Sequence, residues 1–320
     1  MKKLSHRALA LILPVSLASC GGGGGSSDTI ATATPTTPTS TVPSTGTTPV
    51  QTTPSTPDTT TPATTPPSTP VQEPPPVTPV GQDASQYTLT FAEEFNSGST
   101  IDATRWSTDI WYKNNNATRN YDVADGNLRI WPQQDATGQF FDRTIVGDGK
   151  FSQQYGYFEV EAKLPVGAGL HPVISLIATD GPEIGIMHSY TGAPDGGWSS
   201  PTLTATDYVV TAVNDANGYD EEFRAHEYID VPDLSAGFHK FGVRWDATSI
   251  RYYIDGVQMG RTINNTQVRA PMYFYIGLWM VNEGTSPRIG SGTLGINNAY
   301  TPVGSSNAMQ VNYVRAWQFK

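Results

Sequence analysis

Residues Ile250-Arg-Tyr-Tyr-Ile254, Asp255-Gly256 and Val257-Gln-Met259 set two runs of β-branched and aromatic residues around an Asp-Gly pair. The pair suits a type I′ turn, whose two central residues both take positive φ and whose twist matches the strands it joins. The stretch therefore predicts an antiparallel hairpin. Comparable runs recur at 87–91, 127–131, 157–164, 173–178, 208–213, 272–280 and 309–319, with turn residues between them. No segment sustains a helical period, and no internal repeat is visible. Alternation with one polar face is the pattern of antiparallel sheets packed face to face. The expected fold class is all-β, over residues 87–320, a length that one sandwich of two antiparallel sheets fills.

The N-terminal residues have another character. Lys2, Lys3 and Arg7 flank an apolar stretch, 8–18, that is too short to cross a bilayer as a permanent helix. Leu17-Ala18-Ser19-Cys20 resembles the lipobox of bacterial lipoproteins. The resemblance implies a signal peptide over 1–19, cleavage before Cys20, and acylation of that residue. Gly21 and Gly22 follow in place of Asp, which by analogy with enterobacterial lipoproteins points to the outer membrane, facing the cell surface or the periplasm. Cys20 is the sole cysteine, so an internal disulfide, a Cys-based metal site and a Cys nucleophile are excluded. Residues 20–86 are the anchor followed by Gly, Thr, Pro and Ser. Such a composition buries too little apolar surface to offset its ordering entropy, and a disordered spacer is expected.

Without the three N-terminal basic residues the chain has 16 Lys and Arg against 29 Asp and Glu. That balance excludes electrostatic binding of nucleic acid or an anionic surface and suits an uncharged ligand. The protein is expected to be a monomer that needs no cofactor, with a calcium ion bracing the sandwich left open.

Phe91-Ala-Glu-Glu-Phe95, Ile101-Asp102, Trp106, Gly126-Asn-Leu128 and Tyr155-Gly-Tyr-Phe-Glu-Val-Glu-Ala-Lys-Leu-Pro165 occur in that order. Phe238-His-Lys-Phe-Gly-Val-Arg-Trp245, Tyr253-Ile-Asp-Gly256, Ala270-Pro-Met272 and Val311-Asn-Tyr-Val-Arg315 follow. Together they resemble glycoside hydrolase family 16, the laminarinase and lichenase group. The resemblance implies a concanavalin-like β-jelly-roll with a polysaccharide or oligosaccharide cleft on one sheet.

Active members of that family carry Glu-Ile-Asp-Ile-Met-Glu on a central strand. This chain has Glu183-Ile-Gly185-Ile-Met-His188. Residues two apart on a strand share a face, so Glu183 and Gly185 belong to the cleft and Ile184 and Ile186 to the core. His188 reaches the cleft only through a β-bulge near Met187. By the resemblance, Glu183 is the nucleophile, Gly185 replaces the helper aspartate, and His188 replaces the general acid/base. Imidazole titrates in the range that general acid catalysis needs, but its reach differs from that of a carboxyl. Two tryptophans of the family pattern Gly-Leu-Trp-Pro-Ala-Phe-Trp-Leu are here His171 and Ser175.

Trp111, Tyr112, Trp198 and Trp279 are candidates for sugar stacking, each weighed against core packing; Trp106 and Trp245 are expected in the core. Asp180, Asp195, Glu227 and Glu283 are candidates for a replacement acid. His171, His188 and Glu183 together would make a two-histidine, one-carboxylate metal set, weighed against a plain hydrogen-bonding role. Three functions follow from the sequence: a divergent endo-glycosidase, an inactive glycan-binding pseudoenzyme, or a structural or adhesive surface lipoprotein.

Overall fold

The computed structural model describes residues 76–110, 116–179, 181–192, 202–213, 224–265, 267–280 and 300–320. Cys20, the spacer up to residue 75, Trp111, Tyr112, Trp198, Asp180, Asp195 and Glu283 lie outside the described residues. Among the described residues there are fourteen strands: β1 (Tyr87–Glu93), β2 (Tyr121–Ala124), β3 (Asn127–Ile130), β4 (Arg143–Val146), β5 (Gly156–Lys163), β6 (Leu170–Ile177) and β7 (Glu183–His188). They continue as β8 (Asp207–Val213), β9 (Arg224–Asp230), β10 (His239–Trp245), β11 (Ser249–Ile254), β12 (Val257–Asn264), β13 (Tyr273–Met280) and β14 (Met309–Phe319). One sheet runs β12-β11-β10-β5-β14-β3-β2, with β1 also on β14; the other runs β4-β13-β6-β7-β8-β9. All described pairings are antiparallel. The fold is the all-β sandwich that the alternation predicted.

Period-two burial explains the layers. Ile174 and Leu176 on β6, Ile184 and Ile186 on β7, and Tyr208, Val210 and Ala212 on β8 meet Phe158, Val160, Phe241, Val243 and Trp245 of the other sheet in one core. Trp106 closes it beside Phe91 and Phe95. The acids of the N-terminal signature are structural: Glu93 accepts the Phe95 N–H and the Trp106 indole N–H, and Glu94 takes Arg315 bidentately at 2.8 Å.

The Asp255-Gly256 turn has φ of 50° and 80°, as a type I′ turn requires. β12 continues past Met259 through an irregularity, since Ile250 faces Ile263 while Tyr252 faces Met259. Gly260 (φ +61°) turns the chain there, and a Cβ on it would stand 2.8 Å from Glu227 Oε2. That carboxylate accepts the Arg261 N–H at 3.0 Å and so ties the edge of one sheet to the edge of the other.

The boundary drawn at residue 87 is late. Val77 O accepts the Trp317 indole N–H, Val80 N–H donates to Glu159 at 3.2 Å, and Tyr157 Oη donates to Val80 O at 3.3 Å. Glu159 is wholly buried on β5 and also accepts from Tyr313 Oη at 2.8 Å. A buried carboxylate needs such donors, and the Val80 N–H is one of them, so the backbone at the end of the spacer is held against the sheet. Burial still leaves its carboxyl above the ordinary value. The strap crosses the hairpin turn so closely that a Cβ on Gly81 (φ +71°) would lie 2.3 Å from Gly256 O. Gly81→Ala should lower the unfolding free energy by about 1–3 kcal/mol, measurable by urea denaturation of the full chain.

Candidate functional site

β7 lies inside the six-stranded sheet between β6 and β8. Its register on β6 passes from Ser175–Gly185 to Ile174–Met187, and on β8 from Gly185–Thr211 to His188–Val209. One extra residue is therefore held at Ile186–Met187, a β-bulge. Ile186 and Met187 both point into the core, and His188 returns to the outer face that Glu183 and Gly185 occupy. The Ile186 carbonyl, displaced by the bulge, accepts from Tyr208 Oη at 2.7 Å; Tyr252 Oη reaches from the other sheet to Thr211 O at 2.6 Å. The two core hydroxyls satisfy buried backbone groups at the irregular point.

The four altered positions form one cluster on that face. His188 Nε2 lies 3.3 Å from Glu183 Oε1 and 3.2 Å from Ser175 Oγ, and Ser175 Oγ donates to Glu183 Oε1 at 2.8 Å. On the far side of the ring, His188 Nδ1 lies 3.2 Å from His171 Nε2. Gly185 sits beneath: a Cβ there would be 2.5 Å from His188 Nε2 and 2.5 Å from Thr211 Oγ1. The imidazole thus occupies the space of a side chain at 185. His188 is 12% and Glu183 33% exposed at the side chain, whereas Ser175 is fully buried and His171 7% exposed.

Burial draws the Glu183 carboxyl upward, but the His188 hydrogen bond and charge, with the Ser175 hydrogen bond, outweigh it and leave the group below its ordinary value. Burial, and then the charge of His188, hold His171 well below the usual imidazole range, so it is neutral. A neutral His171 and an ionised Glu183 at opposite ends of His188 make a hydrogen-bonded chain, not a metal cage. The donors do not converge, and among the described residues no three His, Cys, Asp or Glu stand close enough to hold a metal ion. Of the two roles weighed for these residues, the hydrogen-bonding one is what this geometry shows.

Around this chain, the His171 ring lies 4.1 Å from Tyr190 and edge-on to Trp279 at 5.5 Å. Trp279 is 37% exposed and donates its indole N–H to Tyr275 Oη at 2.6 Å. Asp207 Oδ1 accepts from Ser189 Oγ and Tyr190 N–H, both at 3.1 Å, which fixes the chain beyond His188; burial holds its carboxyl above the ordinary value. Glu227, a candidate replacement acid, is instead the clasp on Arg261. Sequence reasoning passed over Tyr190, Asp207 and Tyr275. Tyr190 follows His188 by two and Tyr275 precedes Trp279 by four, so the same period-two count would have found both.

Residues 108–298 match the family described as glycosyl hydrolases family 16. The chain belongs to this family. An endo-1,3-1,4-beta-glycanase, ExsH, of Rhizobium meliloti is 26% identical over 170 residues, covering 52% of this chain and 31% of that protein. A second from the same organism, EglC, is 26% identical over 231 residues, covering 61% and 47%. The chain spans less than half the length of these two relatives. Among solved structures, the laminarinase catalytic domain of Thermotoga maritima superposes with a TM-score of 0.55 at 20% identity, covering 73% of this chain and 99% of that one. SCLam, a non-specific endo-beta-1,3(4)-glucanase co-crystallised with an oligosaccharide, superposes at 0.57 with 26% identity, covering 76% and 99%. Family 16 membership accords with the two-sheet fold, and His171, Ser175, Glu183, Gly185 and His188 lie together on the outer face of the β7 sheet.

Because His188 fills the space above residue 185, the two positions are energetically coupled. Gly185→Ala should destabilise the protein, His188→Ala should relieve the clash, and the double-mutant cycle should return an interaction of about 1–3 kcal/mol. Thermal or urea unfolding of the four proteins measures it.

Proposed function

We propose that this chain is a glycan-binding member of family 16 held at the cell envelope by lipid on Cys20, with a β-linked neutral polysaccharide as ligand. The observation carrying this reading is the 3.3 Å contact between His188 Nε2 and Glu183 Oε1. Retaining hydrolysis needs acid and nucleophile flanking the glycosidic bond, about 5–5.5 Å apart. Here the two groups touch, Ser175 bridges them, and His171 engages the other nitrogen of His188. A glycosidic oxygen has no place between them. The likeness to the endo-1,3-1,4-beta-glycanases of Rhizobium meliloti supports a β-glucan as ligand class.

One observation favours a second reading, a divergent endo-glycosidase. Glu183 is ionised and a third exposed, as a nucleophile must be, and His188 would have to leave it to donate a proton.

Calorimetry against β-1,3-, β-1,4- and mixed-linkage glucans and a β-galactan, run beside a reducing-end assay, separates these. Saturable binding with no release of reducing ends is expected. Release that vanishes in Glu183→Gln would move the protein to the second reading. No binding to any glycan would remove both and leave a structural or adhesive lipoprotein. In the same assay, Gly185→Asp with His188→Glu should gain hydrolysis that neither single change gives, because only the pair restores a separated acid.

The anchor rests on the sequence before residue 21, and its test is independent. Cys20→Ser should move the protein from the membrane fraction to the soluble fraction and abolish incorporation of labelled palmitate.

A further inference from the structure

The outer face of the β7 sheet is covered unequally. Towards β4, Ile110, Val146, Val173, Tyr273 and Tyr275 close an apolar cluster over it. Towards β9 the face ends at Tyr228, which is 58% exposed. The register sets Tyr228 opposite Val209 and Val209 opposite His188, so all three share the face. Tyr228 lies two strands from His188. Trp279, opposite His171 on β6, lies two strands away on the other side. Two exposed aromatic rings thus bracket the Glu183–His188 pair across four strand spacings, about 19 Å.

Edge strands with a large exposed aromatic residue are a liability for self-association, so such a residue on the open end of a ligand face calls for a reason. We propose that Tyr228 is a stacking platform for a neutral polysaccharide lying across the strands from Trp279 over Glu183, and that it sets the chain length the protein prefers. Val209, in register between His188 and Tyr228, is apolar and fully buried, so the Tyr228 ring is the apolar surface that this end of the face offers a sugar. Asp230, two residues beyond Tyr228 on the same face of β9, is exposed and opposes anionic sugars. The inference rests on the glycan-binding reading and adds to it a contact on the edge strand β9.

The test is calorimetry of the full chain, Tyr228→Ala, Tyr228→Phe and Trp279→Ala with β-1,3 and mixed-linkage gluco-oligosaccharides from disaccharide to octasaccharide. Tyr228→Ala should weaken the longest oligosaccharides about tenfold, the scale of one aromatic contact, and leave the shortest that bind unchanged. Tyr228→Phe should bind as the parent does, and Trp279→Ala should weaken every length. Parent-like affinity of Tyr228→Ala at all lengths, or an equal loss at all lengths, overturns the proposal while the glycan-binding reading stands. If the parent binds no oligosaccharide of any length, that reading falls and takes the platform with it.

Discussion

One extra residue in β7 governs the site. In a regular strand His188 would face the core and Met187 the ligand. The bulge at Ile186–Met187 sends both of those apolar side chains inward and brings His188 round to Glu183. It also displaces the Ile186 carbonyl from the ladder, and the Tyr208 hydroxyl takes it up from within the core. Leaving such a group unsatisfied costs about 1–3 kcal/mol. The core is therefore not a neutral filling beneath the site; two of its tyrosines hold the backbone geometry that puts the side chains in place.

What the bulge delivers is a contiguous polar chain. Ser175, Glu183, His188 and His171 come from two adjacent strands, and each touches another member of the set. Buried polar groups persist only when their hydrogen bonds are met, so the four residues act as one. His171 stays neutral because it is buried beside another imidazole, and Glu183 stays ionised because His188 and Ser175 face it. A cluster satisfied internally in this way is held rigid by its own hydrogen bonds.

Much of this was legible from residue spacing. The alternation in 157–164, 173–178 and 309–319 gave the strands, and Asp255-Gly256 gave the hairpin, because turn chemistry is local. The signature acids Glu93 and Glu94 carried the family likeness without being catalytic, since they organise Trp106 and Arg315. Less visible were β2, β4 and β9. β4 is a wholly buried strand of Arg-Thr-Ile-Val, which has no alternation to read, and β9 is an edge strand whose Arg-Ala-His-Glu-Tyr-Ile-Asp is too polar to announce itself. With β9 unread, Tyr228 was unread too. The strap 76–81 was hidden for another reason: its attachment depends on Glu159, which lies some eighty residues away in sequence (Val80 to Glu159).

Gly185 and His188 also bear on how this surface can change over generations. An aspartate at 185 would strike the imidazole, whose ring atoms lie within 2.8 Å of the position a Cβ would take. A glutamate at 188 would stand without the helper beside it. A change towards an acid pair at either position alone therefore gives a protein that is either strained or incomplete. The glycine, by yielding its volume to a neighbour, ties the two positions together, so that this corner of the face is open to change only two residues at a time.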